Sequence, residues 1–153
     1  MKGLQRAIDL VNDAIDQQLK IVIVGDYDAD GATSTALMIL ALREMGANVE
    51  YLVPDRFKYG YGLTPKIADL AFERFQPDLL ITVDNGISSH VGVKQAQSYG
   101  MKVIITDHHL TTKEIPDAEA VVNPNQLGCD FPSKALAGVG VAFYLLANLS
   151  SQR

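Results

Sequence analysis

Three aspartates spaced two apart, Asp26, Asp28 and Asp30, close the segment KIVIVGDYDADG that runs from Lys20 to Gly31. Carboxylates this close repel one another and lose hydration together, so burying them is costly unless cations compensate. Two further groups follow the same plan. Asp84 comes directly after the apolar run Leu79 to Val83, and Asp107, His108 and His109 come directly after Lys102 to Thr106. Five carboxylates with two imidazoles and no thiolate form a hard to borderline donor set, suited to Mn2+ or Mg2+ rather than to zinc in a cysteine cage. So many acids ask for two ions. Paired metals roughly 3.5–4 Å apart activate water and clamp the oxygens of a phosphoryl group, the arrangement of phosphatases and nucleases.

Two commoner structures also place aspartates as the first cluster does. D-x-D-x-D-G opens an EF-hand loop, but that loop needs a bidentate Glu at its twelfth position, where Leu37 stands, and a preceding helix rather than a strand. A solvated acidic turn is the default for an isolated run of aspartates, and a lone histidine is more often a surface residue than a ligand. Adjacent histidines after an aspartate at a strand end reverse that expectation.

The elements that must hold these groups are legible from periodicity. Ile21 to Val24 is β-branched and apolar without alternation, as in a strand buried on both faces of a parallel sheet. Gly31 allows a sharp turn, after which Thr33 or Ser34 would cap a helix carrying Ala36, Leu37, Leu40 and Ala41 and ending at Gly46. Asn48 to Val53 predicts a second strand, stopped by Pro54. Thr64 and Pro65 supply the N-cap and first position of a helix ending near Gln76-Pro77. Leu79 to Val83 and Lys102 to Thr106 are further strands, separated by a helix capped by Ser88 or Ser89 and running to Gly100. Ala120 to Val122 is a candidate fifth strand, and Leu136 to Leu149 reads as an apolar helix beginning at Gly138-Val139-Gly140. Strands alternating with helices imply an α/β fold, a mostly parallel β-sheet flanked by helices in a three-layer, Rossmann-like arrangement. In such sheets ligands bind outside the carboxyl ends of the strands, where all three acidic groups fall.

A stripe of Leu4, Ile8, Val11, Ile15 and Leu19 makes residues 1–19 a helical segment packed on the domain formed by residues 20–153. With 153 residues, 48% hydrophobic and 20% charged, the chain has the composition of one globular domain and not of a disordered segment. Its formal net charge of -5 argues against a broad basic surface for nucleic acid, so a polyanion would be held locally. One cysteine, Cys129, excludes an intrachain disulfide. The apolar run Ala135 to Ala147 is shorter than a membrane span and the N-terminus lacks an apolar leader core, so a cytoplasmic protein with no membrane partner is the expectation. The loop Asp55 to Gly62 carries Arg56, Lys58, Tyr59 and Tyr61, cations and rings able to meet a phosphate and a base; a plain surface loop is the alternative. Gly138 and Gly140 would let backbone amides approach a phosphate, with tight helix packing as the alternative.

Taken together, Asp26-x-Asp28-x-Asp30-Gly31, Val83-Asp84-Asn85-Gly86 and Asp107-His108-His109 resemble the first three motifs of the DHH phosphoesterase superfamily. GDYDADGATSTA, RFKYGYGLTP, TVDNGISSH, TDHHL, VVNPNQ and LAGVGVAFYL extend the likeness from about Lys20 to Leu149, toward the members that degrade single-stranded DNA from the 5′ end. The resemblance implies a Mn2+- or Mg2+-dependent phosphodiesterase that releases 5′-mononucleotides in DNA repair and recombination. A hydrolase of short oligonucleotides, cyclic dinucleotides or pyrophosphate is the alternative, and an inactive metal-binding fragment another. By motif position, Asp28 and Asp30 would each bind one ion, Asp84 would bridge both, and His108 would complete one shell. Asp26 and Asp107 join the metal candidates, Asp26 as a ligand or an outer partner. His109, with Asp84, would act on the scissile phosphate. Single-stranded DNA is the implied partner, with a single-strand-binding protein or helicase beside it. The family's further aspartate motif is not found before Arg153, so residues 20–153 are expected to be the N-terminal portion of a longer, here truncated, catalytic domain with little nuclease activity alone.

Overall fold

The computed structural model describes residues 2–26, 28–60, 62–109, 114–124 and 138–153, with the backbone alone described for Arg56, Phe57, Gly138 and Val139. Its elements are α1 (Leu4–Asp16), β1 (Lys20–Val24), α2 (Ala29–Glu44), β2 (Asn48–Leu52), α3 (Arg56–Tyr59), α4 (Pro65–Phe75), β3 (Leu79–Val83), α5 (His90–Ser98), β4 (Lys102–Thr106), β5 (Ala120–Val122) and α6 (Gly138–Gln152). The five strands pair in parallel in the order β2-β1-β3-β4-β5. The parallel α/β expectation holds.

The reason lies in the strands themselves. Ile21 to Val24 and Leu79 to Val83 are buried at every residue, which only a sheet covered on both faces permits. Ile21, Ile23, Leu79, Ile81 and Val83 pack with Ile8 and Val11 of α1, Met38 and Leu42 of α2, and Val141, Leu145 and Leu149 of α6. Val22, Val24, Leu80, Val103 and Ile105 pack on the other side with Ile67 and Ala71 of α4 and Val93 and Ala96 of α5. Period-two side-chain alternation along each strand therefore feeds two separate cores.

The order places a topological switch point between β1 and β3. From β1 the chain passes through α2 outward to β2, and from β3 it passes through α5 outward to β4, with α2 and α5 packed in opposite cores. The divergence leaves a crevice above the carboxyl ends of β1 and β3. Those ends carry Asp26 and Asp28 on one side and Asp84 on the other.

Two local expectations are corrected. Helix α2 starts at Ala29, not after Thr33 or Ser34, because Asp28 is its N-cap and accepts a hydrogen bond from the Gly31 amide at 2.7 Å. The hydroxyls of Thr33 and Ser34 donate instead to the carbonyls of Ala29 and Asp30 within the helix. Gly31 is thus a helical residue and forms no turn. The segment read as a continuous loop after β2 contains the single helical turn α3, whose Lys58 and Tyr59 amides return to the Asp55 carbonyl. Thr64 does cap α4, accepting from the Ile67 amide. Cys129, Leu136 and residues 125–126 of the NPNQ stretch lie outside the described residues.

Candidate metal centre

Three neighbouring strands deliver the acidic groups to one place. One oxygen each from Asp26, Asp28 and Asp84 lie within 4.8 Å of one another, and Asp84, Asp107, His108 and His109 form a second set under the same limit. Asp84 belongs to both. It sits at φ +60 directly after β3, a left-handed conformation that aspartate tolerates better than branched or bulky residues do, and its side chain is almost wholly buried. Burial is the main reason its carboxyl is pushed up to about 8, with repulsion from Asp30 and Asp28 next. A carboxylate pushed so far toward its neutral form is what a binding place for cations looks like when protein atoms alone surround it.

His108 Nε2 stands 2.7 Å from Asp84 Oδ1 and 3.5 Å from Asp30 Oδ2, so Asp30 reaches the centre through the His108 side. Asp28 caps α2 and stands among the acidic oxygens at once. Gly31 matters here by its size: a Cβ on it would lie 2.6 Å from the Asp26 carbonyl oxygen and 2.9 Å from Asp26 Cβ. Gly31→Ala should therefore shift Asp26 and cost roughly 1–3 kcal/mol of stability by overpacking. A urea midpoint equal to the parent's would show that the first turn of α2 yields without strain.

Asp107 is placed differently from the other acids. Its Oδ2 accepts from the Ile87 amide at 3.0 Å, and its Oδ1 accepts from the His108 and His109 amides at 2.8 and 3.3 Å and contacts His109 Nδ1 at 2.5 Å. With both oxygens so engaged, Asp107 is built to fix its histidine neighbours. The contact with Asp107 is also the main reason the His109 imidazole is raised to about 8, against the opposing effect of burial. Metal-free protein should thus show the His109 ring titrating near 8 by NMR, falling toward 6.5 in Asp107→Asn. A ring that titrates identically in both proteins would remove Asp107 as the cause. Because the folded-state value is raised, His109 contributes stability that is complete below about pH 6.5 and lost as pH rises through 8.

Residues that sequence reasoning named as loop, motif or cap positions, without assigning them to the site, complete the surroundings. Gly62, Gly86, Ile87, Ser88 and Ser89 line a cleft of about 230 Å3 with Asp107 and His109. Ser89 does not cap α5 with its side chain; its hydroxyl accepts from the Leu63 amide and ties the glycine loop to the head of that helix. Buried Asn123 donates to the His109 carbonyl at 3.1 Å, a use of the Asn123-Pro124 turn that composition does not announce. The predicted substrate contacts are less gathered. Lys58 is exposed with its Nζ 5.4 Å from the Tyr59 ring centroid, Arg56 is described by its backbone in α3, and Tyr61 lies outside the described residues. Gly138 and Gly140 are the first and third residues of α6.

An open parallel sheet with a carboxylate–histidine cluster at its switch point is an α/β domain equipped to hold cations, and the chain belongs to the DHH family: residues 20–153 match the model of that family's N-terminal domain. Within the family, it is 54% identical over 150 residues to the single-stranded-DNA-specific exonuclease RecJ of Escherichia coli K12, covering 97% of this chain and 26% of that protein. The RecJ of Bacillus subtilis 168 is 50% identical over 145 residues, covering 95% of this chain and 18% of that protein. A crystal structure of exonuclease RecJ bound to manganese superimposes with TM-score 0.90 at 39% identity, over 99% of this chain and 38% of that one. The chain thus spans about a quarter, or less, of the length of these curated relatives.

Proposed function

We propose that this chain forms the metal-binding part of a phosphodiesterase that removes nucleotides from the 5′ end of single-stranded DNA. The observation that carries the reading is Asp84, buried at the switch point and shared between two acidic sets drawn from three strands. Its support from kinship is the identity with RecJ exonucleases, and a RecJ structure that holds manganese makes Mn2+ or Mg2+ the fitting cofactor. Asp26, Asp28 and Asp84 would hold one ion, and Asp84 with His108 and Asp30 a second. Bound there, divalent ions supply Lewis acidity at phosphoryl oxygens and lower the pKa of water.

The chain's own groups do the rest. His109, held by Asp107 and Asn123, lines the wall of the cleft, where its ring can donate to a phosphoryl oxygen. Ser88, Ser89 and Gly62 leave room for the sugar-phosphate end of the strand beside it. Asp107 fixes the imidazole through the contact with its Nδ1. A DNA substrate would fit a cytoplasmic protein, and a helicase or single-strand-binding protein would present the strand, a partner suggested by family resemblance alone. Among the described residues no helix is long and apolar enough to cross a membrane.

The test is release of 5′-mononucleotides from 5′-labelled single-stranded DNA in Mn2+, with duplex DNA and Asp84→Asn as comparisons. Weak, metal-dependent release from the single strand alone, abolished by the substitution, is expected from a chain that spans about a quarter of its relatives' length. Equal release by Asp84→Asn would sink the assignment, and no release at any Mn2+ concentration would confine the chain to metal binding.

A further inference from the structure

Beneath the acidic cluster runs a line of buried side-chain donors that the proposed chemistry does not use. Thr106, the last residue of β4, donates through its hydroxyl to the Thr82 carbonyl in β3 at 2.7 Å. Thr82 in turn donates to the Asn85 carbonyl at 2.7 Å, closing the turn that holds Asp84 in its left-handed conformation. Asn85 then donates through Nδ2 to the Val24 carbonyl at the end of β1 at 3.1 Å and to the Val83 carbonyl at the end of β3 at 2.9 Å. Thr82 and Thr106 are fully buried and Asn85 is 1% exposed. Gly86 belongs to the same turn at φ +108, and a Cβ there would come within 2.8 Å of the Thr82 hydroxyl.

We propose that Thr106, Thr82 and Asn85 form a brace that sets the spacing between the strand ends carrying Asp26 and Asp28, Asp84, and His108. The inference rests on the metal reading given above and assigns three positioning residues to it. The regular β1–β3 pairing ends at Val24 and Thr82, two residues short of Asp26 and Asp84. Asn85 carries the connection past that end, spanning the crevice where the two strands would otherwise be free to splay. Metal coordination tolerates errors of only about 0.2 Å, so a small relaxation at these ends separates ligands while leaving the packed sheet intact. The Asn85 Oδ1 atom is buried and accepts no hydrogen bond from the described residues, so the side chain is held through its Nδ2 donors.

Thr82→Val, Thr82→Ser and Asn85→Ala, with Leu10→Ala in distant α1 as a stability-matched control, test the brace in this chain. Each is scored by urea denaturation without metal and by Mn2+ affinity from calorimetry, with free Mn2+ counted by electron paramagnetic resonance. Thr82→Val keeps the shape and loses the donor, Thr82→Ser keeps the donor, and Leu10→Ala loses packing elsewhere. Expected is a weakening of Mn2+ binding by about ten- to hundredfold in Thr82→Val and Asn85→Ala, the range for groups that support metal ligands from behind. Thr82→Ser and Leu10→Ala should bind as the parent does. Should Asn85→Ala fail to fold, the Thr82 pair decides. Parent-like affinity in folded Thr82→Val, or equal weakening in Leu10→Ala, overturns the brace. A parent chain that binds no Mn2+ overturns the metal reading and the brace with it, an outcome told apart by the parent titration alone.

Discussion

At pH 8 and without metal, Asp84→Asn should unfold at a higher urea concentration than the parent, and it should lose Mn2+ affinity by roughly a hundredfold or more. The two halves of that result have one cause. Burial and the neighbouring Asp30 and Asp28 push the Asp84 carboxyl up to about 8, so its ionisation is resisted by the folded state. A folded-state value raised above the ordinary 3.8 means that the folded chain binds an extra proton between about pH 4 and 8. Stability without metal therefore falls as pH rises across that window. An amide has no such ionisation, and asparagine also accepts the φ of +60 that alanine would strain. A gain on the order of 1 kcal/mol would match common stabilising substitutions. The cation, however, needs the charge. In the parent, Mn2+ displaces that proton, so its affinity should weaken about tenfold for each pH unit below 8. An Asp84→Asn chain that binds Mn2+ like the parent, or that is less stable than the parent without metal, would contradict a proton-burdened Asp84.

The second large effect concerns the frame. Val22→Asp should abolish cooperative folding, costing more than about 4 kcal/mol, because a charge would be placed on a central strand with no partner. Val22 is fully buried, pairs with Glu50 on one side and Leu80 on the other, and faces the core filled by α4 and α5. Circular dichroism in a urea titration reads the outcome. A folded Val22→Asp chain would mean that α4 and α5 do not cover that face.

Much of the frame was legible in the sequence for a physical reason. Strands buried on both faces are uninterrupted β-branched runs, so the bounds of β3, β4 and β5 coincide with Leu79–Val83, Lys102–Thr106 and Ala120–Val122. What escaped were the double uses of single residues. Asp28 looked like a ligand, which hid its role as the cap of α2 and displaced the helix start toward Thr33. Thr82 and Thr106 look like ordinary strand residues, and nothing in their spacing says that the Thr106 hydroxyl reaches β3 or that the Thr82 hydroxyl closes the turn at Asn85. The gathering of Asp26, Asp28, Asp84 and His108 was readable from the rule that ligands lie at strand ends. That Asp107 turns both of its oxygens to neighbouring backbone amides was not, since a DHH triplet offers three potential donors in equal terms.

The shared use of Asp28 has a kinetic consequence. Its Oδ1 holds the Gly31 amide, so one hydrogen bond orders both that carboxylate and the first turn of α2. A carboxylate tied to the helix it caps would meet an incoming ion as a pre-set oxygen, where one on an untethered loop would have to be captured. Uptake of Mn2+ through this side would then proceed at the pace at which the hydrated ion sheds water, in one fast phase without a slow conformational step. The same bond makes the Gly31 amide a resident reporter, since a cation drawing electron density from Asp28 shifts the proton that the carboxylate holds.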